Sequence, residues 1–524
     1  MSQLKNKATT QKNIFLREKY FFVFLLFYGL AGLFVNFYVG FHQSFNDFWD
    51  LYFGTRFLSL HNAQSLYSPY FPIGYFAFLK AIIGSAPPEI PAIFANILFG
   101  IILLAVSYKL CRTLLSPAIS LFFILLLSIY PRIFYYNFVG GADPLSLALF
   151  AIGSYFLIPE FLNKSAGKGR TFFIAGLFFG LGALVRYHVL VGAGMLIFSL
   201  LLVYRRSWKH LTLCAVGVAA AYLVQLIIYF LSAPHTVHFA VMNIYNLMYP
   251  LDWYHTITLH LPKSPLELIF NAPLLFAKKY AEGVAQHALD FIPPLIAFFA
   301  VRDTRLKKVC GAIALWTMGY SLFFGAMTSG RSLLLPLPLS FLCWGLAAQR
   351  ICAYTKQKIT KRMFAAGVIA SVMALLTLFG FNDVMKIKNR YLEHRTCSSV
   401  ETLVRHYGCT GVREIFSTDF YLYFRTMPPY VPYFNGGAPR WGVYRYNEEY
   451  PEFADATLAD FSAACRERGV HFVLLTSPCR LRSEALGTLY DKPDCSDDFI
   501  FKKEIDRFKI FMVAPHPLKS QKQV

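Results

Sequence analysis

Residues 41–75 read FHQSFNDFWDLYFGTRFLSLHNAQSLYSPYFPIGY. They follow directly on an apolar run, residues 20–40, and are too polar to remain in lipid themselves. Two carboxylates, Asp47 and Asp50, fall within a few residues of the membrane edge, among Phe45, Phe48, Trp49, Tyr52 and Phe53. One reading is a short interfacial helix capped by Asp47 and belted by aromatics. The other is a place where polar chemistry is done on a lipid-borne substrate, because a partly desolvated carboxylate is a stronger base than one in water.

The rest of the chain has the composition of a polytopic membrane protein. Of its 524 residues, 56% are hydrophobic and only 15% charged, against about a quarter charged in an average soluble chain. Apolar runs predict eleven spans, near 20–40, 91–109, 115–131, 143–159, 171–186, 188–204, 211–232, 286–301, 309–327, 332–349 and 364–384. The first run has no small-residue cleavage site close behind it and is expected to stay as an anchor. PYFPIGYFAFLKAIIG, residues 69–84, is apolar but short and reads as an interfacial or re-entrant helix.

The net charge of +21 could suggest a nucleic-acid partner, but its distribution excludes one. With the N-terminus in the cytoplasm, every second loop is basic, and that side carries 22 basic against three acidic residues. This is the positive-inside pattern. It puts the loop 41–90 and everything after residue 385 on the outer face.

On that face, basic residues outside the C-terminal region are few: Arg56, Lys80, Arg132, Arg186, Lys263, Lys278, Lys279 and Arg331. Arg186, in the tight turn Val185-Arg186-Tyr187-His188, either snorkels to the headgroups or binds a phosphate with its planar fork. Asp143, after Gly140-Gly141, either caps a helix and complements its dipole or touches substrate. Residues 233–285 read as a long outer loop. There Asp252, Trp253, Tyr254 and His255 make a polar–aromatic cluster, and the Lys278-Lys279 pair is a headgroup anchor or a phosphate contact.

Residues 386–524 hold 20 basic and 17 acidic residues, the balance of a soluble domain. TLADFSAACRERG has helical spacing ending at Gly469, VHFVLLTS reads as a buried strand and FIFKKEIDRFKIFMVAP as one or two more. Cys397 with Cys409, and Cys479 with Cys495, are local disulfide candidates of open connectivity. The fold expected is an all-α membrane domain, residues 1–385, followed by a small outer α/β domain, residues 386–524.

These pieces, in this order, resemble the GT-C superfamily of integral-membrane glycosyltransferases, which use polyprenyl- or dolichyl-phosphate-linked sugars. Asp47-Phe48 with Tyr52, then Leu66-Tyr67 and Pro69, is similar to the polyprenol-phosphate mannosyltransferase branch. GGADPLSLALF and GLFFGLGALVRYHVLV resemble bacterial relatives of GPI and protein mannosyltransferases, and GRSLLLPLPLSF resembles an RYLLP-type segment with Ser332 in place of tyrosine. LADFSAACRERGVHFVLLTS is similar to the outer domain of bacterial members.

The resemblance implies a glycosyltransferase that moves a hexose or pentose from a polyprenyl-phosphate carrier to a lipid, glycan or protein. Asp47 is implied as general base, with Asp50 and Asp143 as other catalytic candidates. Arg186 and Arg331 would clamp the carrier phosphate, with Arg132 and Lys279 as alternates, and Trp49, Tyr52, Tyr67 and His255 would line the sugar or acceptor pocket. No cofactor is required and no metal is indicated, since Asp47 and Asp50 could share an ion only on a helical turn. The expected location is a bacterial inner membrane with the C-terminal domain outside. The competing reading is a flippase or transporter, which predicts charges buried mid-span. Here the acids lie at span ends or in loops.

Overall fold

The computed structural model describes residues 2–38, 72–82, 89–139, 141–162, 169–204, 208–232, 248, 265–286, 288–324, 334–355, 385, 388–389, 391–392, 395–409, 414–417, 457–467, 469–477 and 484–515. They fall into a helical unit reaching Lys388 and a C-terminal unit beginning at Asn389.

In the helical unit, α1 (Ser2–Tyr38), α2 (Ile73–Ile82), α3 (Glu89–Leu114), α4 (Pro117–Ile129) and α5 (Pro131–Phe138) come first. Then follow α6 (Asp143–Leu157), α7 (Gly169–Val185), α8 (Tyr187–Val203) and α9 (Trp208–Ser232), and after them α10 (Pro265–Asn271), α11 (Pro273–Gln286), α12 (Ala288–Ala300), α13 (Thr304–Phe324) and α14 (Leu337–Thr355). Ten of the eleven expected spans coincide with helices, and the one at 364–384 lies outside the described residues. Four helices are long and apolar enough to cross a bilayer among the described residues: Glu18–Tyr38, Ile90–Leu114, Asp143–Phe161 and Trp208–Ile228. The 13-residue α4 rises only about 20 Å, short of a hydrocarbon core of about 30 Å.

Two segments read as loops are helical. Residues 131–138 form α5 because Pro131, at the first position, has no N–H to leave unpaired, while Ile133 and Phe138 bury their side chains. Residues 265–286, the end of the long loop, form α10 and α11. α2 is helical as read, and buries Tyr75, Phe76 and Leu79.

The core is apolar and knit by aromatic contacts, with few polar ties. Trp316 of α13 stacks on Phe150 of α6 at 5.6 Å, and its indole N–H donates to the Gly192 carbonyl of α8 at 2.8 Å. α7 and α9 pack backbone to backbone through the small-residue pattern Gly176-x-x-x-Gly180 facing Cys214–Val218.

The C-terminal unit has a four-stranded sheet in the order β1-β2-β4-β3, from β1 (Ile415–Ser417), β2 (Phe472–Leu475), β3 (Phe499–Ile505) and β4 (Phe508–Val513). β1 runs parallel to β2, and the other pairings are antiparallel. Helices α15 (Leu458–Glu467) and α16 (Glu484–Asp491) accompany it, which is the α/β unit the sequence predicts, with the short β1 added. β2 is buried along its whole length, as its unbroken apolar run requires. Cys397 is buried and Cys409 half-buried in one apolar cluster, while Cys479 lies outside the described residues.

α15 begins at a reciprocal cap: the Thr457 hydroxyl accepts from the Asp460 N–H, and the Asp460 carboxylate accepts from the Thr457 hydroxyl and N–H. These bonds, the hydroxyl's first, hold the Asp460 carboxyl below the ordinary carboxylate range. Its share of the cap is therefore present above the unfolded pKa and lost as pH falls through the lowered folded value. Thr457→Ala is expected to cost about 1 kcal/mol of local stability. Faster amide exchange over residues 458–461, with the gap to wild type narrowing in acid as the carboxylate's share is lost, checks this.

Candidate active site

Polar side chains buried among apolar helices must find hydrogen bonds or destabilise the fold, so their positions mark where the bundle is built around something. Three fully buried asparagines converge on the turn between α5 and α6. Asn96 Nδ2, in the second turn of α3, donates to the Val139 carbonyl at 2.5 Å and to the Gly141 carbonyl at 2.9 Å. Asn36 Nδ2, near the end of α1, donates to the Phe138 carbonyl at 3.0 Å, and Asn137 Nδ2 donates to the Tyr28 hydroxyl at 2.9 Å. A turn held this way cannot slide, and the residue it delivers is Asp143.

Asp143 opens α6 with its side chain only 2% exposed. The capping expectation is not met: Ala142 stands at the N-cap position, and no side-chain cap bond forms. Instead Asp143 Oδ2 accepts from Arg186 Nη2 at 3.3 Å. Arg186, 12% exposed, sits in the one-residue break between α7 and α8, its N–H bonded to the Gly182 carbonyl at 2.9 Å and its own carbonyl to the Val189 N–H at 3.0 Å. The sequence sorted these two residues into different roles, and the fold joins them as one buried ion pair. Desolvated in this way, each charge depends on the other.

α2 docks beside the pair. Its first N–H, from Ile73, donates to Oε1 of the buried Gln225 of α9 at 2.9 Å. Gly74 lies so close to the end of α7 that a Cβ there would stand 2.5 Å from the Leu184 carbonyl oxygen. The next residue, Tyr75, is fully buried and within electrostatic range of both Arg186 and Asp143. Asn36 and Ile73, which flank residues 39–71 in sequence, are thus bonded to Phe138 and Gln225.

Of the other predicted site residues, Asp47, Trp49, Asp50, Tyr52, Tyr67, His255 and Arg331 lie outside the described residues. Arg132 falls in α5, but its side chain is not among those described. Lys279, in α11, pairs with Glu282 one turn on, at 2.9 Å, on the surface. Asn36, Asn96, Asn137, Gln225 and Tyr75 were not singled out from the sequence. Amides inside apolar spans were the available signal, since an amide costs several kcal/mol in hydrocarbon unless it is bonded.

Residues 71–257 match the family model described as dolichyl-phosphate-mannose-protein mannosyltransferase. None of the curated proteins matches the sequence. Among solved structures, the chain is similar to ArnT from Cupriavidus metallidurans bound to undecaprenyl phosphate, with 12% identity, a TM-score of 0.54 and coverage of 94% of this chain and 99% of that one. The same enzyme in the apo state gives 12% identity, a TM-score of 0.53 and the same coverage. The archaeal oligosaccharyltransferase AglB from Archaeoglobus fulgidus, in complex with an inhibitory peptide and a dolichol-phosphate, follows at 11% identity and a TM-score of 0.48, with 95% of this chain and 75% of that one covered. The structural likeness carries the fold along nearly the whole chain, and the family model covers the segment that contains the Asp143–Arg186 pair. The chain thus shares the fold of ArnT along nearly its whole length, and residues 71–257 match a mannosyltransferase family model.

Proposed function

We propose that this protein is a glycosyltransferase that moves a sugar from a polyprenyl-phosphate carrier to an acceptor hydroxyl at the outer face of a bacterial inner membrane. The observation that carries the reading is the buried Arg186, paired with Asp143 beside the asparagine-held turn. The undecaprenyl phosphate and dolichol-phosphate of the ArnT and AglB structures support a carrier of the same chemistry.

In this reading Asp47 takes the proton of the acceptor hydroxyl. The acceptor oxygen forms a bond to the anomeric carbon as the bond from that carbon to the phosphate oxygen breaks. The electron pair leaves with the polyprenyl phosphate, which gains one negative charge. Arg186 and Arg331 neutralise it, Arg186 presenting a planar fork that matches two phosphate oxygens. Attack opposite the leaving group inverts the anomeric carbon, so a β-linked donor gives an α-linked product. Asp143 is assigned the orientation of Arg186. No cofactor or metal enters the step.

The test is transfer by the reconstituted protein, supplied with polyprenyl phosphates bearing different sugars and scored for release of free carrier. Wild type is expected to release carrier from at least one donor. Asp47→Asn is expected to lose a factor of about a hundred or more while still binding the donor. Release by both proteins at equal rates would remove Asp47 from the role. Movement of the intact lipid across the bilayer without release would replace the transferase by a flippase.

A further inference from the structure

The C-terminal unit has an open cleft of about 320 Å³ where β2 begins and β4 ends. Its lining includes Tyr407, Arg466, Val470, His471, Met512 and Pro515. Bonded backbone fixes two of its walls. At the end of α15 the Gly469 N–H donates to the Arg466 carbonyl at 3.1 Å, and the Val470 N–H to the Cys465 carbonyl at 2.8 Å. At Tyr407–Gly408 the Gly408 N–H donates to the Arg405 carbonyl at 3.0 Å, and the Cys409 N–H to the Val404 carbonyl at 3.2 Å. Both turns pass through the left-handed region, at Gly408 (φ 96°) and Gly469 (φ 69°), as helix ends commonly do.

The two basic side chains in the lining each have a carboxylate beside them. Arg466 Nη2 donates to Asp498 Oδ1, and its Nε donates to the Ala514 carbonyl at 3.1 Å. His471 Nδ1 stands 3.6 Å from Glu414 Oε2. The helix ends add partial negative charge. The cleft therefore has little charge left over to hold an anion.

What it does have is unused hydrogen-bonding capacity next to apolar surface. Among the described residues, Arg466 Nη1, His471 Nε2 and the Tyr407 hydroxyl have no hydrogen-bond partner. The guanidinium can only donate, while the hydroxyl can donate or accept. Val470, Met512, Pro515 and the Tyr407 ring supply the apolar part. The ligand that fits is uncharged, carries hydroxyls around its rim and presents C–H faces that release water as they settle on apolar side chains. The volume lies at the low end for ligand sites, which limits the occupant to about the size of a disaccharide. We infer that this cleft binds a neutral sugar of that size. The inference concerns the C-terminal unit alone and stands whether or not the chain transfers sugar.

The experiment measures binding of methyl α-mannoside, methyl α-glucoside and maltose to the purified full chain by calorimetry. The detergent must have no sugar headgroup, since such a headgroup would compete. Glucose 1-phosphate is the charged control, and thermal unfolding is followed alongside. Wild type is expected to bind at least one of the three neutral probes saturably. His471 is 62% exposed, so His471→Ala is expected to unfold as wild type does. It is expected to bind that probe about five- to tenfold more weakly, through loss of one hydrogen bond. Arg466→Met is expected to weaken binding about tenfold or more, but it also cuts the tie from α15 to Ala514. His471→Ala therefore decides the matter if Arg466→Met does not fold.

Failure of wild type to bind any of the three neutral probes would overturn the site. So would a His471→Ala protein that binds them as tightly as wild type does. Tighter binding of glucose 1-phosphate than of methyl α-glucoside, lost in His471→Ala, would make the cleft an anion site and overturn the neutral-sugar assignment.

Discussion

Arg186→Met is expected to destabilise the helical unit by about 3–5 kcal/mol, because it strips a buried carboxylate of its ion-pair partner. Asp143 is 2% exposed, and its Oδ1 already accepts no hydrogen bond among the described residues. Without Arg186, Oδ2 loses its bond as well. The carboxyl would then have to take up a proton or draw water into the turn held by Asn96.

The double variant Arg186→Met with Asp143→Leu removes both charges. It is expected to recover most of the lost stability, since an apolar pair of similar bulk replaces a buried ion pair at little cost. On the proposed mechanism it is not expected to recover transfer, because Arg186 is assigned to the carrier phosphate. Thermal unfolding in detergent and carrier release separate these effects. A stable Arg186→Met single variant would show that the pair contributes nothing to the fold. A double variant that transfers sugar at the wild-type rate would remove Arg186 from the reaction.

The second large effect is expected at the α7–α9 contact. A Cβ on Gly176 would stand 2.0 Å from the Cys214 carbonyl oxygen and 2.8 Å from its carbon, and both atoms are backbone. No rotamer change relieves such a clash, so the helices must separate along their shared stripe. Small residues let helices in lipid approach closely, and that contact is their main source of association. Gly176→Leu is expected to cost at least the roughly 1–3 kcal/mol of core overpacking and to abolish recovery of folded protein at 37 °C.

Gly194 supplies the control, because nothing lies within 4 Å of a Cβ there. Gly194→Ala is expected to be neutral or stabilising by up to about 1 kcal/mol, through helix propensity alone. Size-exclusion profiles and unfolding temperatures of the two variants check the contrast. Equal behaviour would mean that α7 and α9 do not rely on their close approach.

Much of the architecture was legible because it rests on local physics. Apolar runs must be helical in lipid, since no water is present to bond an open backbone. In the C-terminal unit, β2 and the β3–β4 hairpin appear where apolar runs and turn residues predict them, with Asp506 at φ 50° in the two-residue turn. α5 was missed because its eight residues form too short a segment for periodicity to outweigh the polar residues and glycines around it.

The site was legible only by residue type. Sequence alone identified Asp143 and Arg186 as groups out of place at a bilayer edge, and hydropathy determined that α2 is too short to cross. It could not show that residues 43 positions apart neutralise each other. Ion pairing depends on distance through space, and in the chain both residues sit next to helix ends that face several neighbours. Nor could it show that Asn36, Asn96 and Gln225, each alone in an apolar run, serve backbone groups of other segments. Tertiary structure decided those matters, because a buried amide or charge takes whichever partner the packing of apolar helices brings within about 3 Å. Composition and periodicity thus determined that this chain is a bundle of apolar helices followed by a small α/β unit. Only the packing of that bundle decided that one asparagine-held turn brings Asp143, Arg186 and Tyr75 together.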